Sequence, residues 1–197
     1  KHQLIAQDSI IDYKLLSELR DYLVLLEAIV ARELRKKPIV AFKPKGRLNY
    51  EMLIEKGLLG LLHDKELLEQ LPSIIRHDLE ESLYCLCFER PTAATMVALR
   101  AVEAALRQLY LLLKPNAKIK GINWKTIINE LKELFKQQDI EAKSLIGYLD
   151  HLREIRNTAE HPDKIFDQVE GEDTLIHACY AIREIYRTIN KLKTKQT

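Results

Sequence analysis

The stretch PTAATMVALRAVEAALRQLYLLL, residues 91–113, decides the class of the fold. It opens on a proline, which suits the first turn of a helix. It then runs unbroken to Lys114-Pro115, where the residue before proline is pushed out of helical geometry. Alanine and leucine fill most of it, and both are strong helix formers. Its apolar residues lie on almost every side rather than along one stripe. The pattern therefore predicts a central helix surrounded by others.

Outward from it, the chain reads as helix after helix. Upstream, SIIRHDLEESLYCLCFE (73–89) starts at the Pro72-Ser73 boundary and stops at Arg90-Pro91. Before it, YEMLIEKGLLGLLHDKELLEQL (50–71) reads as two shorter helical pieces, weakened in the middle by Gly57 and Gly60. KKPIVAFKPKGRLNY (36–50), with two prolines and a glycine, is a loop. Residues 8–35 form one long helix, with Leu15, Leu19, Tyr22, Leu23, Leu26 and Ile29 near a 3.6 period.

Downstream, KPNAKIKGINWK connects to the helix WKTIINELKELFKQQ (124–138), and a turn near Asp139 follows. EAKSLIGYLDHLREIRNTAEH (141–161) is helical until Pro162, PDKIFDQVEGE is a loop, and a last helix covers 173–192. Strand patterns, internal repeats and low-complexity segments are absent from this reading. The expected fold is an all-α antiparallel helix bundle, with residues 1–71 as an N-terminal helical extension and 72–197 as the bundle.

Composition agrees and excludes several classes. The 197 residues are 47% hydrophobic and 30% charged, enough for a sizeable core and unlike a disordered chain. A net charge of +2 does not announce a nucleic-acid binder by itself. Three cysteines give no even disulfide framework, which points to a reducing, cytoplasmic setting. Cys85 and Cys87 stand two apart on a helix and point apart, as do His177 and Cys179, so no zinc site is expected, nor any other metal or cofactor. No apolar run reaches the ~18 residues needed to span a bilayer, and no signal peptide is read at Lys1.

Three groups of residues could carry chemistry. Arg100, Glu103 and Arg107 share a stripe of the central helix, either as ion pairs to a neighbouring helix or as the lining of a polar pocket formed by Arg100 and Glu103. Basic residues cluster between Arg32 and Arg47 and between Lys114 and Lys125. In the second cluster Lys118, Lys120 and Lys125 stand near Trp124, a set that could track a phosphate backbone and stack a base. The third group is REIRNTAEHPD, residues 153–163. Arg153, Arg156, Asn157 and Glu160 fall on one helical face. His161 lies about 140° round from Arg156 on an ideal helix. Because it precedes Pro162, it sits where the chain is turning. The plain reading of that group is a polar helix end, with a histidine answering the helix dipole.

IRNTAEHP, followed after a short acidic loop by TLIHACYAIREIYRTI, resembles the closing helices of the HEPN superfamily of small helical nucleotide- and RNA-associated domains. The mark of that family is an arginine, four to six residues, then a histidine. Arg156, Asn157 and His161 match it. DLEESLYCLCFERPTAATMVALRAVEAALRQLY is similar to the opening helix pair of one HEPN branch, and Arg100 and Glu103 match an arginine and a glutamate of its second helix. The likeness covers about residues 74–193.

The resemblance implies metal-independent RNA cleavage, as in stress response or phage defence, or else binding of RNA, a nucleotide or a protein without catalysis, or a scaffold domain of a larger enzyme. In the cleaving case His161 moves a proton at the 2′-hydroxyl or the leaving oxygen, Arg156 offsets phosphate charge, and Asn157 orients one of them. One histidine cannot serve as both base and acid at once, so the expectation is a homodimer whose axis passes near Arg156 and His161. Family toxins that pair with a nucleotidyltransferase antitoxin often carry a tyrosine two residues after the histidine. Asp163 stands there instead, which speaks against that partner.

Overall fold

The computed structural model describes residues 13–35 and 46–196. Every regular element among them is an α-helix. The chain falls into two compact units, residues 1–41 and 42–197.

In the first unit, α1 (Tyr13–Arg35) is the described element. The expected start at residue 8 and most of the 36–50 loop lie outside the described residues.

The second unit is built around α6 (Pro91–Leu113), the helix read as central. Ala94, Ala98, Ala101 and Ala105 are fully buried, so helix backbones can approach closely along that side. The flanking helices α5 (Ser73–Cys87) and α9 (Gln168–Gln196) make the most extensive packing against it. Leu99, Val102, Leu106 and Leu109 fill the space on α6's other faces, none more than 1% exposed. α7 (Trp124–Gln137) and α8 (Lys143–Ala159) complete the layer on the remaining side. Asn123 caps α7 by accepting a hydrogen bond from Thr126 N at 2.9 Å. Asp139, in the left-handed region at φ 51°, turns the chain toward α8.

Two departures from the expected organisation have clear physical causes. The 50–71 stretch forms three pieces: α2 (Tyr50–Lys56), α3 (Leu58–Leu62) and α4 (Lys65–Gln70). Gly57 makes the first break. The second comes at left-handed His63, after which Asp64 caps α4 by accepting from Leu67 N at 2.9 Å. These pieces bury Tyr50, Leu53, Leu58, Leu62, Leu67 and Leu71 in the same core as α5–α9, so the bundle begins far upstream of residue 72. The joint is polar as well as apolar. Glu172, fully buried on α9, accepts from Tyr50 Oη at 2.5 Å and from Arg47 N at 2.8 Å. Burial, with that carboxylate beside it, holds the Tyr50 phenol well above its usual range. A Cβ on Gly46 would lie 1.6 Å from Glu172 Oε1, so a larger residue there would push that carboxylate aside.

The last helix starts at Gln168, five residues before the expected 173. Asp167 and Glu170 form a reciprocal cap: Glu170 N donates to Asp167 Oδ1 at 2.8 Å and Asp167 N to Glu170 Oε2 at 2.9 Å. Gly171, which reads as a loop residue, sits inside the helix because a Cβ there would meet Pro91 Cβ and Leu86 Cδ2 at 2.9 Å. Close helix packing, not a turn, asks for that glycine.

No helix among the described residues is long and apolar enough to cross a membrane.

Candidate functional site

α6, the start of α7 and the C-terminal half of α8 enclose a polar cleft of about 490 Å³. Four cations line it, Arg107, Lys125, Arg153 and Arg156, against two carboxylates, Glu103 and Glu160. Helical spacing delivers most of them. Glu103 and Arg107 stand one turn apart on α6, while Arg153, Arg156, Asn157 and Glu160 share one face of α8.

Glu103 is the hub. Its side chain is 16% exposed, with Oε2 at 2.8 Å from Arg156 Nη1, while Oε1 accepts from Arg107 Nη2 at 2.5 Å. Arg156 also reaches Glu160, Nε to Oε1 at 3.1 Å, and its guanidinium carbon lies 5.4 Å from the centre of the Trp124 ring. Trp124 is 2% exposed, so its ring anchors α7 in the core and offers no open face to a base. Two donors in this lining are buried with no acceptor among the described residues, the Trp124 indole N–H and the Arg107 Nε–H. A buried donor without an acceptor costs about 1–3 kcal/mol.

The other residues singled out from the sequence divide. Asn157 and Lys125 are exposed and line the cleft. Lys118 and Lys120 are exposed on the 114–123 connector and lie outside its lining. Arg100, one turn before Glu103, turns to α5 and grips Asp78 with both ends of its fork, Nε to Oδ2 at 2.8 Å and Nη2 to Oδ1 at 2.5 Å. Asp78 is fully buried under an arginine side chain that is 60% exposed. Arg100 is thus held in an ion pair with Asp78, while Glu103 lines the cleft.

His161 follows the end of α8. Its backbone N donates to Thr158 O at 3.2 Å, and its carbonyl accepts from Lys164 N at 3.2 Å, so the chain is turning there as Pro162 requires. The side chain is exposed and outside the lining of the cleft, while the Arg156 guanidinium is held between Glu103 and Glu160. Arg107 and Arg153, which the sequence grouped with Glu103 and with Arg156, complete the positive lining.

A second histidine group lies between α8 and α9. The His151 and His177 rings are 5.7 Å apart, with Tyr148 edge-on to His177 at 5.8 Å. Among the described residues, no group of three or more His, Cys, Asp or Glu side chains is arranged to hold a metal ion. Cys179 is buried, which pushes its thiol up to about 12.

Compared with known proteins, the chain matches no family model, no curated protein and no solved structure.

Proposed function

We propose that the chain is a HEPN-like, RNA-directed domain that binds the phosphate backbone at the α6–α7–α8 cleft. The observation that carries this reading is the cleft's lining of four cations, Arg107, Lys125, Arg153 and Arg156, against two carboxylates. The guanidinium forks of Arg107 and Arg156 suit a phosphate's paired oxygens better than any lysine would.

Cleavage by the same region is the second reading, favoured by one observation: His161 and Asn157 are both exposed beside the end of α8 that holds Arg156. In that reading the enzyme is a cytoplasmic, metal-independent endoribonuclease of stress response or defence. Two copies form a homodimer, and each lends one histidine to a composite site. The 2′-oxygen attacks the adjacent phosphorus, the P–O5′ bond breaks, one histidine takes the 2′-proton and the other protonates the leaving oxygen.

One experiment addresses both readings. Labelled single-stranded RNA is titrated with the wild type, Arg156→Ala and His161→Ala, with and without EDTA. The binding reading expects Arg156→Ala to weaken affinity about tenfold, the scale of a lost charged hydrogen bond, and His161→Ala to leave it unchanged. The cleaving reading expects EDTA-resistant products ending in 2′,3′-cyclic phosphate. Each substitution should then slow cleavage by about 10²-fold or more. RNA that neither binds nor is cut overturns both.

A further inference from the structure

α1 carries an apolar seam that its own helix cannot cover. Leu15, Leu19, Tyr22, Leu26 and Ile29 alternate at spacings of four and three, and their exposures run from 41% to 69%. That alternation is the a/d repeat of a two-helix coiled coil. Leu16, Leu23 and Val30, seven apart and also exposed, widen the seam on one flank. At 23 residues the helix is ~34 Å long, room for about three heptads. Isolated helices are marginal in water, and most helical stability comes from packing an apolar face against something.

The polar positions choose what covers the seam. Lys14, Arg20, Arg32 and Arg35 balance Glu18, Asp21, Glu27 and Glu33, so α1 has no net charge. A helix that lies on an anionic membrane presents a face rich in lysine and arginine, which α1 lacks. A second copy fits better. On the flank opposite Leu16, Leu23 and Val30 stand Glu18, Leu25 and Arg32, again seven apart. When two copies run antiparallel, like flanks face each other. Glu18 then meets Arg32 of the second copy, Leu25 meets Leu25 and Leu23 meets Leu23. In the seam, Leu19 packs on Ile29 and Tyr22 on Leu26. A parallel pair would instead set Glu33 against Glu33 inside the seam. Arg32 Nε lies 3.4 Å from Glu33 in its own helix, but both side chains are at least half exposed, and such a pair exchanges partners at little cost.

We propose that α1 is a self-association element that pairs antiparallel with α1 of a second copy, its seam flanked by two Glu18–Arg32 ion pairs. The pairing is independent of what the cleft binds and is an alternative to a dimer axis at His161, from which Leu26→Glu separates it. Sedimentation equilibrium of the full chain tests it, with circular dichroism confirming that each variant is folded. The wild type is expected to be a dimer at micromolar concentration. Leu26→Glu should weaken it about 30-fold or more. Glu18→Arg and Arg32→Glu alone should each weaken it about fivefold, and the double exchange should restore it. Under oxidation, Leu25→Cys should cross-link to itself and Leu19→Cys should not. A monomeric wild type, a Leu26→Glu chain that stays dimeric, a double exchange that fails to restore, or self-cross-linking through Leu19→Cys overturns the proposal. So does a wild type that binds phosphatidylcholine–phosphatidylserine vesicles through α1 in place of pairing.

Discussion

Glu103 shows how much one carboxylate can organise. It neutralises two arginines, from α6 and α8, at 2.5 and 2.8 Å, and so stands where an incoming phosphate would compete for the same forks. Glu103→Gln keeps the shape and removes the charge. On the binding reading it raises RNA affinity roughly fivefold, about 1 kcal/mol for a partly screened charge. It also steepens the fall of affinity with salt, because two arginines become available to displace counterions. The same change lowers stability in urea melts by about 1–3 kcal/mol. Fluorescence anisotropy over a salt series reads the first effect; unchanged affinity would remove Glu103 from the binding surface. Arg100 makes the contrast. Its partner Asp78 is fully buried, so Arg100→Ala acts on stability and leaves RNA binding alone.

Between elements, the contact of α7 with α8 is pH-sensitive by construction. Burial raises the Asp150 carboxyl, but the hydrogen bond and charge of Lys132, with Arg153 behind it, outweigh that and hold it below its usual range. Lys132 Nζ lies 2.7 Å from Asp150 Oδ2. A carboxyl depressed by folding contributes stability above its unfolded pKa, about 4, and loses that contribution as pH falls through the lower folded value. Asp150→Asn should therefore be less stable than wild type at pH 7 and converge with it at the acid end of that window. The gap is about 0.2–1 kcal/mol, since the Asp150 side chain is 35% exposed. Denaturant melts across pH check this, and a gap that persists undiminished in acid would mean the asparagine disrupts packing instead. The glycines belong to this scale too. Gly171 and Gly46 both serve close approach, one of α9 to Pro91 and one of backbone to Glu172.

For the whole molecule, net charge says little and its distribution says more. Lys125 lines the cleft, whereas Lys118 and Lys120 stand on the adjoining connector. If RNA runs from the cleft along that connector, neutralising all three to glutamine weakens binding. It also flattens the salt dependence by up to about 0.7 per lost contact for a single strand. An unchanged slope would confine the RNA to the arginines of the cleft.

The all-α class, the central place of residues 91–113 and most helix ends were legible in the sequence. They follow from spacing, proline and capping, which act within a few residues. Boundaries slipped where a remote contact intervened: residues 50–71 joined the bundle through Glu172, and α9 ran back through Gly171 to reach Pro91. The site was legible as a list of residues but not as a grouping. Helical spacing puts Arg100 and Glu103 side by side. It cannot say that Asp78 waits for one and Arg156 for the other, because those partners arrive on helices distant in the chain. Likewise the pattern after Arg156 left the His161 side chain free to swing back or out, and in the fold it is exposed, outside the lining of the cleft that holds Arg156. Local periodicity settles which face of a helix a residue occupies, while only the packing of separate helices settles what that face meets.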